Sequence, residues 1–76
     1  MPEIEERLEK CFALVFPKLR STQIRTASTD DVDDWDSLAS IRLAAVVEEE
    51  FGIKIPADDL PELMSFRDFE GYVSSR

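Results

Sequence analysis

The sequence predicts an all-α fold: a small antiparallel bundle of three main helices plus one short helix, with a long loop between the first two. Three observations carry this. Apolar residues recur at three- and four-residue steps in three separate stretches, no run alternates with period two, and helix-starting and helix-stopping residues bracket the stretches. No repeat or low-complexity tract divides the 76 residues, so a single domain, 1–76, is expected.

The first helix is expected from Pro2 to Phe16. Ile4, Leu8, Cys11, Phe12 and Val15 fall on one face, with Glu5, Glu6, Glu9 and Lys10 on the other. Pro2 suits a first turn, and Pro17 disfavours helical geometry at Phe16 and so ends the helix there. Residues 17–35 hold no sustained period. A stretch of that length is expected to be pinned by a few side chains, for which Leu19, Ile24, Val32 and Trp35 are available. The second helix opens at Asp36 or Ser37, both good capping residues, and runs to Phe51, where Gly52 supplies the stop. Leu43, Val47 and Phe51 share one face with Val46 nearby, whereas Leu38, Ile41 and Ala45 lie on another. The helix therefore has an inner and an outer apolar surface. The segment ADDLPEL after Pro56 holds one or two short helical turns. Ser65 with Asp68 then resembles a capping box ahead of a last helix whose face is Phe66, Phe69, Tyr72 and Val73.

Composition narrows the function classes. There are 9 Lys plus Arg against 17 Asp plus Glu, a formal net charge of -8, one Cys and no His. Without His there is no imidazole metal ligand and no Ser-His or Cys-His pair, so self-contained hydrolase chemistry is disfavoured. The lone Cys11 cannot form an internal disulfide and fits a reducing compartment. The longest apolar runs, Cys11 to Phe16 and Leu43 to Val47, are far short of a membrane span, and the acidic start MPEIEERLEK is no signal peptide. A cytoplasmic location follows as the expectation. The negative surface repels nucleic acid and anionic lipid and favours basic protein surfaces.

The most distinctive segment is residues 30–56. Its carboxylates first suggest a calcium loop, but a loop starting at Asp31 puts Trp35 at the fifth position, Asp36 where glycine is needed and Arg42 at the twelfth. That pattern fails. Ser37, at the first turn of a helix and preceded by Asp36, lies where unpaired N-H groups and the positive end of the dipole favour an attached anion such as a phosphodiester. In a chain without His its hydroxyl has no nearby base, so another enzyme would have to attach the group.

Asp36-Ser37-Leu38, Ile41, Leu43, Glu48-Glu49-Glu50-Phe51-Gly52-Ile53 and Ile55-Pro56 together resemble the second helix and following loop of acyl carrier proteins, at every spacing and without a gap. Few other small folds share this string. The likeness covers nearly the whole chain, including the first helix, the long loop, the short third helix at Asp58 to Leu63 and the last helix ending in Tyr72-Val73. The resemblance implies an acyl-carrier-like bundle and a single acyl carrier domain. It implies that Ser37, flanked by Asp36 and Leu38, receives 4'-phosphopantetheine covalently from coenzyme A through a magnesium-dependent phosphopantetheinyl transferase. The thiol of that arm would carry acyl thioesters between biosynthetic enzymes, the carrier itself catalysing nothing. Partners would be the transferase and acyl-loading and acyl-processing enzymes with basic or apolar docking surfaces, meeting Leu38, Ile41, Arg42, Ala45, Glu48 and Glu49. A monomer is expected.

Three departures from the family pattern stand out. Trp35 replaces a common Gly before the Asp-Ser-Leu, while Ala39 and Arg42 occupy positions that are often acidic. Charge is thereby removed from the outer face, which points away from general fatty-acid synthesis and toward a specialised pathway such as polyketide or other secondary metabolism. Two other readings stay open at this level: an aminoacyl or peptidyl carrier, and an unmodified acidic helical adaptor that binds through the same outer face. Trp35 is expected to pack over the loop, Phe66, Phe69 and Tyr72 to be core, and Cys11 to lie on the apolar stripe. Asp30, Asp31, Asp33 and Asp34 keep the loop soluble or help to hold the transferase.

Overall fold

A computed structural model describes residues 2–75. Its helices are α1 (Pro2–Val15), α2 (Ser21–Ile24), α3 (Ser37–Phe51), a 3-10 helix (Ala57–Glu62) and α4 (Phe66–Ser74). The three long helices and the short one stand where the periodicity and caps put them, α3 being the helix expected as the second. The addition is α2, a single turn inside the segment expected to be loop. Four residues are too few to print a period, and its first turn is instead held by the Gln23 side chain accepting from Arg20 N-H at 2.9 Å.

The core forms where the inner faces meet. Leu8, Cys11 and Phe12 of α1 are fully buried against Leu43 and Val47 of α3 and Phe66 and Phe69 of α4. Phe12 is the centre of an aromatic group, with ring centroids 6.1 Å from Phe16, 5.5 Å from Trp35, 5.2 Å from Phe66 and 5.8 Å from Phe69. Three of these four contacts are edge-on, the geometry in which the positive rim of one ring meets the negative face of the next.

The long connection between α1 and α3 is pinned as its composition predicted. Ile24, Val32 and Trp35 are buried and Leu19 packs against the core. Backbone bonds complete the attachment: Thr29 N-H donates to Met64 O at 2.9 Å and Phe66 N-H donates to Ala27 O at 3.0 Å, around an isolated antiparallel bridge between Ser28 and Ser65. The α4 cap departs slightly from a full capping box. Ser65 Oγ accepts from Asp68 N-H at 3.0 Å, but the Asp68 carboxylate reaches back to Met64 N-H at 3.0 Å, one residue earlier than the box requires.

Ion pairs tie the outer faces of the helices together. Arg7 of α1 meets the Glu50 side chain of α3 at 2.7 Å, also donates to the Glu50 carbonyl, and lies over the Phe51 ring. A longer chain runs from Glu9 to Arg25, Glu5, Arg67 and Glu70, joining α1 to the end of α2 and to α4. The hydrogen bond from Arg67, helped by the charge of Arg25, holds the Glu5 carboxyl below its ordinary range. Such exposed pairs contribute little singly and act here mainly by fixing which helix faces meet.

Burial pushes the Cys11 thiol up to about 11. Since the thiolate is the reactive form, Cys11 in the folded chain is chemically silent at neutral pH. The expected result is no reaction of native apo protein with a colorimetric thiol reagent over minutes and one equivalent after denaturation. One equivalent from the native chain would mean that α1 opens readily.

Candidate functional site

The site is built at the first turn of α3. Asp36 has extended backbone geometry (φ -99°, ψ -173°) and its Oδ1 accepts from Ala39 N-H at 2.9 Å, so Asp36 is the cap and Ser37 the first helical residue. Asp36 therefore relieves Ser37 of capping. The Ser37 side chain is exposed and makes no hydrogen bond among the described residues. The N-H groups of Ser37 and Leu38 lie in the same first turn, at the positive end of a 15-residue helix, where an attached anion is stabilised.

Ser40, one turn further on, stands in contrast. It is half-buried and its Oγ accepts from Trp35 Nε1 at 2.9 Å. Trp35 itself is 4% exposed, wedged against Phe12 and, at 5.4 Å, against Phe16. It pins the loop to the core, as the bulk of an indole before a helix start implied. Beside Ser37 a groove of about 340 Å³ runs between α3 and the 3-10 helix, lined by Ser37, Ser40, Ile41, Ala57, Leu60 and Pro61. Sequence reading singled out only Ser37 and Ile41 as site residues. The opposite wall had one signal, the Ala-Leu-Pro content of an otherwise acidic short helix.

The two faces of α3 separate as the spacing predicted. Leu43, Ala44 and Val47 are buried, while Leu38 and Ile41 are 59% and 56% exposed and Arg42, Ala45 and Glu49 are exposed beside them. Ala39 is a correction. It was expected on the outer face, yet it is 8% exposed and faces the core. Its small side chain lets the first turn sit close to the interior, so only Arg42 alters the charge of the outer surface. An aspartate at position 39 would bury a carboxylate there.

The acidic triplet divides into three different roles. Glu48 is half-buried and its Oε2 accepts from Ile55 N-H at 2.7 Å, fastening the chain after α3. Glu50 holds Arg7. Glu49 alone is exposed without an ion pair among the described residues. Gly52 ends the helix at φ 64°, a left-handed conformation that favours glycine, and Ile53 N-H donates to Glu48 O at 3.2 Å. A second groove of about 430 Å³ lies here, lined by Ala45, Glu48, Glu49, Gly52, Ile53 and Lys54.

A phosphodiester-linked arm fits these residues. An exposed hydroxyl with no other bond stands beside uncapped N-H groups, at the mouth of a groove whose walls are partly apolar.

The geometry agrees with what the chain is similar to. The family model described as a phosphopantetheine attachment site matches residues 22–73. The acyl carrier protein of Acidothermus cellulolyticus is 36% identical over 47 residues, a stretch that covers 62% of this chain and 55% of that protein. The chain thus spans about half the length of the curated relative it matches.

Proposed function

Because the chain belongs to the family of phosphopantetheine-bearing carrier proteins, we propose that it is an acyl carrier, that Ser37 is the residue that receives 4'-phosphopantetheine, and that its partners belong to a specialised pathway. The observation that carries the reading is the division of labour at the start of α3: Asp36 caps and Ser37 does not. The packing of the described residues round one core supports a single carrier domain.

The arm, once attached, supplies a terminal thiol that holds acyl groups as thioesters. The chain's own residues do the rest. Ser37 Oγ attacks the phosphorus of coenzyme A that bears the pantetheine arm, a new P-O bond forms, the nucleotide half leaves, and the hydroxyl proton passes to a base of the transferase. This chain has no His to take that proton, and the Asp36 carboxylate beside Ser37 is engaged by Ala39 N-H. Asp36 keeps the helix start fixed while this happens. The N-H groups of the first turn stabilise the phosphodiester that results. The groove wall of Ile41, Leu60 and Pro61 shields the first atoms of the arm from water.

Docking is assigned to the outer face of α3: Leu38, Ile41 and Ala45 as the apolar centre, with Arg42 and Glu49 at its rim. Glu48 contributes by holding the Ile55 segment in place. The transferase and the acyl-processing enzymes would approach on this side, with no nucleic acid involved. Among the described residues no helix is long and apolar enough to cross a membrane. The reading includes a cytoplasmic location, which the lone Cys11, without a disulfide partner, suits.

The test is direct. Incubation with coenzyme A, magnesium and a broad-specificity phosphopantetheinyl transferase should add one phosphopantetheine mass, mapped by peptide mass to Ser37. No addition would favour an unmodified adaptor, and addition at Ser40 would move the site. Partner choice has its own check. Arg42→Glu, assayed in holo form at low salt against a general fatty-acid synthesis enzyme, should improve that pairing by roughly tenfold, about 1.4 kcal/mol. An unchanged rate would remove Arg42 as the basis of a specialised pathway.

A further inference from the structure

All 17 carboxylate side chains of this chain lie outside residues 10–29, a stretch that carries four cations, Lys10, Lys18, Arg20 and Arg25. Arg25 is consumed by Glu5 and Glu9. Lys10 and Lys18 are exposed and make no ion pair among the described residues. Between them stands Leu14, 74% exposed, the most exposed of the large apolar side chains. Lys10 and Leu14 are four apart on α1 and so are neighbours on its exposed side, whereas Leu8, Cys11 and Phe12 are buried. Ala13 and Pro17, also exposed, widen the apolar area, and Lys18 follows at the turn. A largely exposed leucine flanked by two ammonium groups without ion pairs among the described residues gives this end of α1 a basic and apolar character on a chain of net charge -8.

From this we propose that the C-terminal half of α1 and the turn after it, Lys10, Ala13, Leu14, Pro17 and Lys18, form a second docking surface, for a short acidic segment of a partner protein bearing a bulky apolar side chain between its carboxylates. Charge complementarity selects the occupant. A narrow acidic segment meets only the patch, whereas an extended anionic surface such as a bilayer or a duplex would also face the carboxylates of the rest of the chain and be repelled. The patch lies away from the outer face of α3 but at the same end of the molecule as Ser37. Arg7 pairs with Glu50 at the far end of α3 and Phe16 meets Trp35 near its start, so α1 and α3 run antiparallel. A segment held there keeps a partner close to Ser37 while α3 remains open to exchange. The patch exists in the unmodified chain, so it stands or fails independently of attachment at Ser37.

The test is a titration of the isotope-labelled apo chain, followed by amide shifts, with a synthetic peptide of alternating Glu and Leu and with its Lys-for-Glu counterpart as control. At low salt the acidic peptide should shift residues 10–20 and the basic one should not. Binding should weaken as ionic strength rises toward about 0.1 M, where the screening length is about 10 Å. Lys10→Glu with Lys18→Glu should weaken it at least tenfold. Leu14→Ser should weaken it several-fold while lowering the melting temperature by only a few degrees, since the side chain is 74% exposed and the substitution costs little beyond helix propensity. Shifts that map instead to Leu38 and Ile41, equal binding of the basic peptide, or no shift at any concentration would overturn the proposal. So would cosedimentation of the chain with anionic vesicles, or concentration-dependent shifts at residues 10–20 without peptide, which would assign the patch to lipid or to a second copy.

Discussion

A Ser37→Ala chain is expected to take up no phosphopantetheine and to keep its helical content. The two halves of that result have separate causes. Uptake needs an exposed hydroxyl at the helix start, and the only other hydroxyl lining the adjacent groove, Ser40, is half-buried and accepts a hydrogen bond from Trp35. Folding needs the cap, and the cap is the Asp36 carboxylate on Ala39 N-H, which the substitution leaves in place. Alanine also has the higher helix propensity, so α3 loses nothing at its first residue. Intact mass and far-ultraviolet circular dichroism on the same sample check both halves. A Ser37→Ala protein that still gains the arm's mass would overturn the assignment, and one that unfolds would show that Ser37 holds the helix start after all.

Phe12→Ala is expected to lower stability by about 3–5 kcal/mol, the range for truncating a buried phenylalanine. That is a large share, about half at mid-range, of the roughly 4–11 kcal/mol that a chain of 76 residues holds at about 0.05–0.15 kcal/mol per residue. The reason is position. Phe12 touches Phe16 on its own helix, Trp35 from the loop, and Phe66 and Phe69 from α4, so its ring is where three segments distant in sequence meet. Removing it leaves a cavity that none of the three can close without losing its contact with another. Urea unfolding followed by circular dichroism measures the effect. A loss below about 1.5 kcal/mol would mean that the neighbouring rings collapse into the space, and that the core is held elsewhere.

The parts of the fold that were legible in sequence were those written by local chemistry. Asp36 and Gly52 bracket α3, Ser65 opens α4 and Pro17 ends α1, each through a backbone preference that operates on its neighbours alone. The parts that were not legible depend on what lies opposite. Ala39 and Ala45 look alike in a helix with apolar residues on several sides, and only packing into the shared core tells that one faces inward and the other out. Glu48, Glu49 and Glu50 are identical in sequence terms. Their roles are set by Ile55 N-H, by solvent and by Arg7, three partners that folding brings together. Helix α2 escaped because four residues leave no period, and the second wall of the groove because its side chains arrive from the 3-10 helix, more than fifteen residues downstream of Ser37.

The placement of Trp35 turns the molecule into its own optical probe. The chain has one tryptophan, buried in a ring of phenylalanines and hydrogen-bonded to Ser40, which stands at the edge of the groove beside Ser37. Its emission is set by one environment, with no second indole to average it. An arm seated against the Ser40 side of the groove would disturb the acceptor of the indole N-H, whereas an event that opens the core would wet the ring. The two disturb the chromophore in different ways, a change of intensity at nearly constant wavelength for the first and a red shift for the second. Loading of the carrier and loss of its fold are thus separable by fluorescence in one cuvette, without a label placed on the surface that partners must read.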